Sequence, residues 1–261
     1  MELTELMASD PEFNLKVLLY GDSKLGKTTL VAHFNKGPLH FDFFDPNGAQ
    51  ALVKMVKSGL RSAAGVTFEQ FDYKDPKSFD KYWKHIQKLD KEGFFKKLAA
   101  EKGLYVVDSY TALNLATMAK VMLTSKNTLP SQPDFRENKG YIMNFIQTVT
   151  TLPCAVVVIA HTETSKDEAS GSVKILPMVT GSLKTSSGVF FDDLLFMKMR
   201  GKERVVTAKP SAKANAGSRV LPEEEYQNFN MNDYFDYHMT GKFSDPKKFK
   251  PATRQKDTDQ G

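Results

Sequence analysis

The sequence predicts an α/β fold with a mostly parallel central sheet flanked by helices, closing on a C-terminal β-hairpin. Three observations predict it. Short apolar runs alternate with longer stretches of helical spacing, the order that produces parallel strands joined by crossover helices. The first run, Lys16 to Tyr20, stops at a glycine loop that opens directly into a helical stretch. Later runs end on polar residues at Asp45, Asp108 and His161, and in parallel sheets ligand groups gather at the carboxyl ends of the strands.

The glycine loop reads Gly21, Asp22, Ser23, Lys24, Leu25, Gly26, Lys27, Thr28, followed by Thr29. This is the pattern GxxxxGK[ST] in its proper context of strand, loop and helix. Successive loop amides and the helix start then aim donors at one place, which is a phosphate cradle. Gly21 and Gly26 permit a backbone approach that a side chain would block. Lys27 reaches the β- and γ-phosphates and the Thr28 hydroxyl sits on Mg²⁺. ATP and Mg²⁺ are the expected ligands.

Helix is expected over Thr29 to Phe34. Leu39 to Asp45 reads as an aromatic strand ended by Pro46, Asn47 and Gly48, a turn signal. Gln50 to Ser58 reads as helix, and Val66 to Tyr73 alternates as a strand. Ser78 to Lys102 is one long charged stretch whose Tyr82, Trp83, Ile86, Leu89, Phe94, Phe95 and Leu98 fall at helical spacing, a core-facing stripe. Leu104 to Val107 is a strand that delivers Asp108 at its end, where a carboxylate orients the magnesium shell. Asp108 as the N-cap of the helix from Thr111 to Leu123 is the competing reading.

Thr124 to Lys139 holds two prolines and the bases Lys126, Arg136 and Lys139 and reads as a mobile loop. Gly140 to Thr150 reads as helix and Ala155 to Ala160 as strand, ending at His161. Thr162 to Ser172 is small and polar and reads as an unrestrained loop. Ser182 to Val189 reads as a short helix. Phe190 to Met199 and Arg204 to Ala208, joined at Arg200, Gly201 and Lys202, read as a hairpin. Lys209 to Arg219 is a basic loop, and the chain after Lys242 reads as disordered.

Length and composition bound the function. At 261 residues, with 41% hydrophobic and 26% charged residues, the chain has the make-up of a globular protein with a full core. The longest apolar run, Leu152 to Ala160, is far short of the roughly 20 residues that span a bilayer, so no membrane partner and a cytoplasmic location are expected. The lone Cys154 excludes an intramolecular disulfide and a Cys-rich zinc site, and its β-branched surroundings mark it as core. The net charge is +5, but Lys242, Lys247, Lys248, Lys250, Arg254 and Lys256 outweigh Asp245, Asp257 and Asp259 by +3 within the tail. A nucleic-acid site in the folded part must therefore be a local stripe.

The ordered set GDSKLGKT, FFDPNG, YVVDSYTAL, VVVIAHTET, the segment from Pro177 to Met197 and the loop ending in SRVLP resembles the RecA-like ATPase core. In particular it resembles compact phage-encoded nucleotide-binding proteins related to RecA-like single-strand annealing recombinases. The resemblance covers roughly Leu15 to Leu221. It implies a RecA-like P-loop NTPase domain, expected over 13–240, between a polar N-terminal arm over 1–12, which reads as a short helix or a disordered segment, and the basic tail over 241–261. It also implies an oligomeric ATPase, ring or filament, that binds single-stranded DNA in recombination, annealing or replication, alongside a single-strand-binding protein. Carried over by position, Lys27 and Thr28 hold phosphate and metal, Asp108 is the Walker B acid, and His161 takes the sensor place. The loops 124–139 and 162–174 correspond to DNA-facing loops, with Lys126, Arg136, Lys139, Lys166 and Lys174 as contacts. Lys213 or Arg219 would reach a neighbouring subunit's ATP and offset charge on the transferred phosphoryl.

One departure stands out. RecA-like enzymes usually place a water-activating glutamate after the strand that follows the P-loop helix, and here the place reads Asp45, Pro46, Asn47. An amide orients water but accepts no proton, so Asp45, or else Glu163, is the substitute and slow hydrolysis is expected. A nucleotide-gated assembly module with negligible hydrolysis is the second reading. A small-molecule kinase is the third, and the chain lacks the arginine-rich lid it needs.

Overall fold

A computed structural model describes residues 13–166, 172–211 and 213–243. The expected arm over 1–12 lies outside them, as does the tail from 244 onward. Six parallel strands form the centre: β1 (Lys16–Gly21), β2 (Leu39–Phe43), β3 (Val66–Gln70), β4 (Leu104–Asp108), β5 (Ala155–Ala160) and β8 (Asp193–Arg200). β9 (Glu203–Thr207) and β10 (Glu225–Gln227) complete an antiparallel C-terminal edge. The order across the sheet is β10-β9-β8-β1-β5-β4-β2-β3. One strand, β5, therefore separates the glycine-loop strand from the strand that ends in Asp108.

β1, β2, β4 and β5 are buried along their whole lengths, which is why they read as continuous apolar runs rather than alternating ones. Helices cover both faces. α1 (Lys27–Ala32), α2 (Gly48–Lys57) and the C-terminal α8 (Met231–Thr240) lie on one side, where Phe34 and Phe235 meet edge to face at 5.3 Å. α3 (Ser78–Lys91), α4 (Phe94–Ala100), α5 (Tyr110–Ser125) and α6 (Gln132–Thr151) cover the other. Each fully buried aliphatic or aromatic side chain in these two layers stabilises the fold by about 1.5–3 kcal/mol. Cys154 is fully buried, and burial pushes its thiol up to about 12, so it packs as an inert core residue.

Several expectations are refined or corrected. The single stretch Ser78 to Lys102 is two helices, broken where Gly93 adopts φ 71°. Thr124 to Lys139 is mostly not a loop, because α6 already starts at Gln132. Ser131 and Asp134 form a capping box there, and Pro133 lies in the first helical turn, where its missing N–H costs nothing. Of Thr162 to Ser172, residues 167–171 lie outside the described residues, and the start is not unrestrained: Thr162–Lys166 is strand β6, paired antiparallel with β7 (Val173–Pro177) as a separate two-stranded sheet. The basic segment from Lys209 is pinned, with Gly217 exchanging backbone hydrogen bonds with Leu194 at 2.7 and 2.9 Å, and the Lys213 carbonyl accepting from Ile175 N–H. The helix expected over Ser182 to Val189 splits into α7 (Leu183–Ser186) and a 3₁₀ turn. Among the described residues no helix is long and apolar enough to cross a membrane.

Candidate functional site

The carboxyl ends of β1, β2, β4 and β5 open into a cleft of about 780 Å³. It is lined by Ser23, Lys24, Gly26, Lys27, Thr28 and Thr29 from the glycine loop and α1, by Asp45 and Asn47 after β2, and by Asp108 and His161 after β4 and β5. Ten sequence-predicted residues thus meet in one place. Gly21, Asp22 and Leu25 complete the loop without lining the cleft. Leu25 is half-buried against the core, and Asp22 accepts a hydrogen bond from the Thr162 hydroxyl at the root of β6.

Gly26 precedes α1 at φ 90° and no side chain caps that helix, so the loop amides keep their donors for a ligand. Lys27 is nearly buried and donates to the carbonyls of Gly21 and Asp22, both at 2.7 Å. Burial lowers its amine to about 8, partly opposed by the charges of Asp108 and Asp22. The Thr28 hydroxyl donates to Asp108 Oδ2 at 2.6 Å. Two hard oxygen donors therefore sit side by side, the set a magnesium ion takes while keeping most of its waters. Burial raises the Asp108 carboxyl to about 6, against the Thr28 hydrogen bond. Asp108 is not the cap of α5: Ser109 fills that role, accepting from Ala112 N–H at 3.2 Å, so the carboxylate stays available to the cleft.

Asp45 and Asn47 stand together, the Asn47 N–H donating to Asp45 Oδ1 at 2.9 Å. The negative charge of Asp45 is felt by both Asp108 and His161. Burial, followed by the Lys27 charge, holds the His161 imidazole below its usual range. Its Nδ1 is buried with no hydrogen-bond partner. Glu163, the other substitute for the missing glutamate, is turned away: it pairs with Lys184 and faces a separate hollow lined by Phe135 and Met178.

The five DNA candidates are exposed and lie on ordered elements. Lys126 ends α5 in a left-handed conformation. Arg136 and Lys139 ride on α6, with Lys139 donating to Ser182 Oγ at 2.8 Å. Lys166 and Lys174 occupy facing strands of the β6–β7 hairpin. α6 and the hairpin share the hollow at Phe135 and Glu163, so the two segments are neighbours. Arg219 lies near Asp192, 3.3 Å away, beside the start of β8. That is the end of the sheet remote from the cleft. Lys213 is close enough to Lys198 for its charge to be felt there.

Gln50 and Lys54 of α2 also line the cleft and escaped the sequence reading, as did Arg204. A Cβ built on Gly26 would lie 3.4 Å from Arg204 Cζ and Nη1, so a guanidinium from β9 stands over the glycine loop of the same chain. Only the placement of β8 against β1 brings it there. Arg204→Ala is expected to weaken nucleotide binding roughly 3- to 10-fold, the loss of one charge-assisted contact. Fluorescent-nucleotide titration measures it, and unchanged affinity would remove Arg204 from the site.

A phosphate cradle at the end of β1, a buried acid two strands away and a mostly parallel sheet between helical layers define a P-loop NTPase. Residues 13–220 match the AAA domain family, and the chain belongs to it. No curated protein matches the chain.

Proposed function

We propose that the protein is a RecA-like ATPase stimulated by single-stranded DNA, acting as a homo-oligomer in phage-type recombination, annealing or replication. The observation that carries this reading is the root of the β6–β7 hairpin. Lys166 and Lys174 sit on the hairpin, and its first residue, Thr162, is hydrogen-bonded to Asp22 of the glycine loop and follows His161 directly. A strand of nucleic acid on those lysines and on Arg136 and Lys139 then bears on the phosphate site through one short connection.

Lys27 and the loop amides bind the phosphates, and Thr28 and Asp108 would hold a magnesium ion, which would supply positive charge beside the transferred phosphoryl. Asp45, which lines the cleft beside Asn47, is the carboxylate that serves the attacking water, with Asn47 orienting it. His161, neutral and with a free Nδ1, is placed to sense the γ-phosphate. Arg219 is remote from its own cleft, so its contribution comes in trans, from a second copy, with Lys213 as the other candidate. The usual glutamate place holds Asn47, which favours a second reading, an assembly module gated by nucleotide with negligible hydrolysis.

Phosphate release with and without single-stranded DNA tests the proposal. Wild type is expected to show stimulation that Lys27→Ala loses, with DNA affinity falling steeply with salt because the contacts are to backbone phosphates. Release by wild type that DNA leaves unchanged rejects DNA stimulation. No release, combined with an ATP-dependent change in oligomeric state, selects the assembly module.

A further inference from the structure

We propose that His40, Asp42 and His85 form a binding site for one divalent transition-metal ion, best matched to Zn²⁺, on the face of the sheet opposite α1. The strand pattern sets it up. Leu39, Phe41 and Phe43 of β2 point into the layer beneath α1 and α2, which sends His40 and Asp42 into the layer beneath α3 and α4. Two polar groups inside a buried strand are costly unless they are paired or hold an ion.

The spacing fits an ion. His40 Nε2 and His85 Nε2 lie 3.2 and 3.3 Å from the same oxygen, Asp42 Oδ1, and the three atoms are all within 4.8 Å of one another. Four-coordinate zinc with bonds of about 2.0–2.2 Å holds its ligand atoms about 3.3–3.6 Å apart. His85 Nε2 is buried beside the carboxylate, so both imidazoles present a ring nitrogen to the same Asp42 oxygen.

The surroundings orient the ligands as metal sites do. His40 Nδ1 is hydrogen-bonded to Thr67 Oγ1 at 2.7 Å, which fixes Nε2 inward. The Tyr105 hydroxyl donates to Asp42 Oδ2, leaving Oδ1 for the ion. Tyr105 is itself 3.3 Å from the Tyr82 hydroxyl, so the carboxylate is braced from behind. Two imidazoles and one carboxylate select zinc over the oxygen-seeking Mg²⁺ or Ca²⁺. His85 is partly exposed on α3, which gives the ion an entry path. Water, or Glu69 as the register partner of Asp42 on β3, completes the fourth position. A bound ion ties α3 to β2.

The test uses the full chain, stripped with chelator and held with Mg·ADP so that the oxygen-only site at Thr28 and Asp108 is occupied. Calorimetric titration with Zn²⁺ is expected to give one equivalent per chain. Co²⁺ is expected to give the intense visible bands of four-coordinate cobalt rather than the faint ones of six-coordinate cobalt. His85→Ala is expected to weaken Zn²⁺ binding at least about 10-fold and to abolish the bands, and His85→Gln, closer in size, to do the same with the fold intact by circular dichroism. No zinc uptake by wild type, a six-coordinate cobalt spectrum, or equal affinity in a folded His85 variant would overturn the site.

Discussion

Asp108→Asn is expected to reduce ATP turnover by at least about 100-fold, because the metal loses its charged ligand and several kcal/mol of charge stabilisation go with it. Binding of nucleotide without Mg²⁺ should change little, since the loop amides and Lys27 are untouched. The amide can still accept from Thr28, so the fold is kept. pH separates this from a general loss of stability. Burial holds the Asp108 carboxyl at about 6, above its ordinary value of 3.8. A raised acid contributes stability that is fully present below about 3.8 and lost as pH rises through about 6. The contribution is on the order of 2–3 kcal/mol, and the variant does not titrate. The variant's Tm relative to wild type, both nucleotide-free, should therefore rise between pH 4 and pH 7 by roughly 5–10 °C for a chain of this size. Wild-type Mg²⁺ response should strengthen over the same range as the carboxylate ionises. Turnover within about threefold of wild type would remove Asp108 from the metal site.

How much of this was legible in the sequence follows from what each signal depends on. β1, β2, β4 and β5 were readable because a strand buried on both faces is a bare apolar run, and the cleft was readable because parallel strands deliver their last residues to one edge. Signals that depend on spatial neighbours were not. Arg204 stands over Gly26 only because β8 pairs with β1, and nothing local to Arg204 says so. Pro130 and Pro133 read as loop residues, yet Pro133 sits in the first turn of α6, where proline is at home. The hairpin β6–β7 was missed because its first strand, Thr162–Lys166, is polar and half-exposed, so alternation gave no core face to find. His40, Asp42 and His85 converge across a strand and a helix, and no spacing rule joins them.

Gly21→Ala is expected to lower Tm by roughly 5–15 °C, a cost of about 2–4 kcal/mol for overpacking that no rotamer relieves. The reason is not the conformation of Gly21, whose φ lies outside the left-handed region. A Cβ there would stand 2.4 Å from the Met197 carbonyl oxygen and 3.2 Å from Met197 Cβ, because Gly21 and Met197 are register partners where β1 and β8 pair. Backbone cannot swing aside as a side chain does, so β1 and β8 must separate at their carboxyl ends. That displacement carries function with it. The Gly21 carbonyl holds the Lys27 amine, and Arg204 is reached through the hairpin that β8 begins. Nucleotide affinity should fall together with Tm, whereas Arg204→Ala should lower affinity alone. Gly59, with open space around its would-be Cβ but φ +70°, supplies the contrast: alanine there costs only about 1 kcal/mol of backbone strain and leaves nucleotide binding unchanged. Calorimetry and nucleotide titration on both variants check the pair. A Gly21→Ala protein that melts within about 2 °C of wild type would mean that β8 does not approach the first glycine of the loop as closely as the structure places it, and Arg204 would lose its route to the phosphates at the same time.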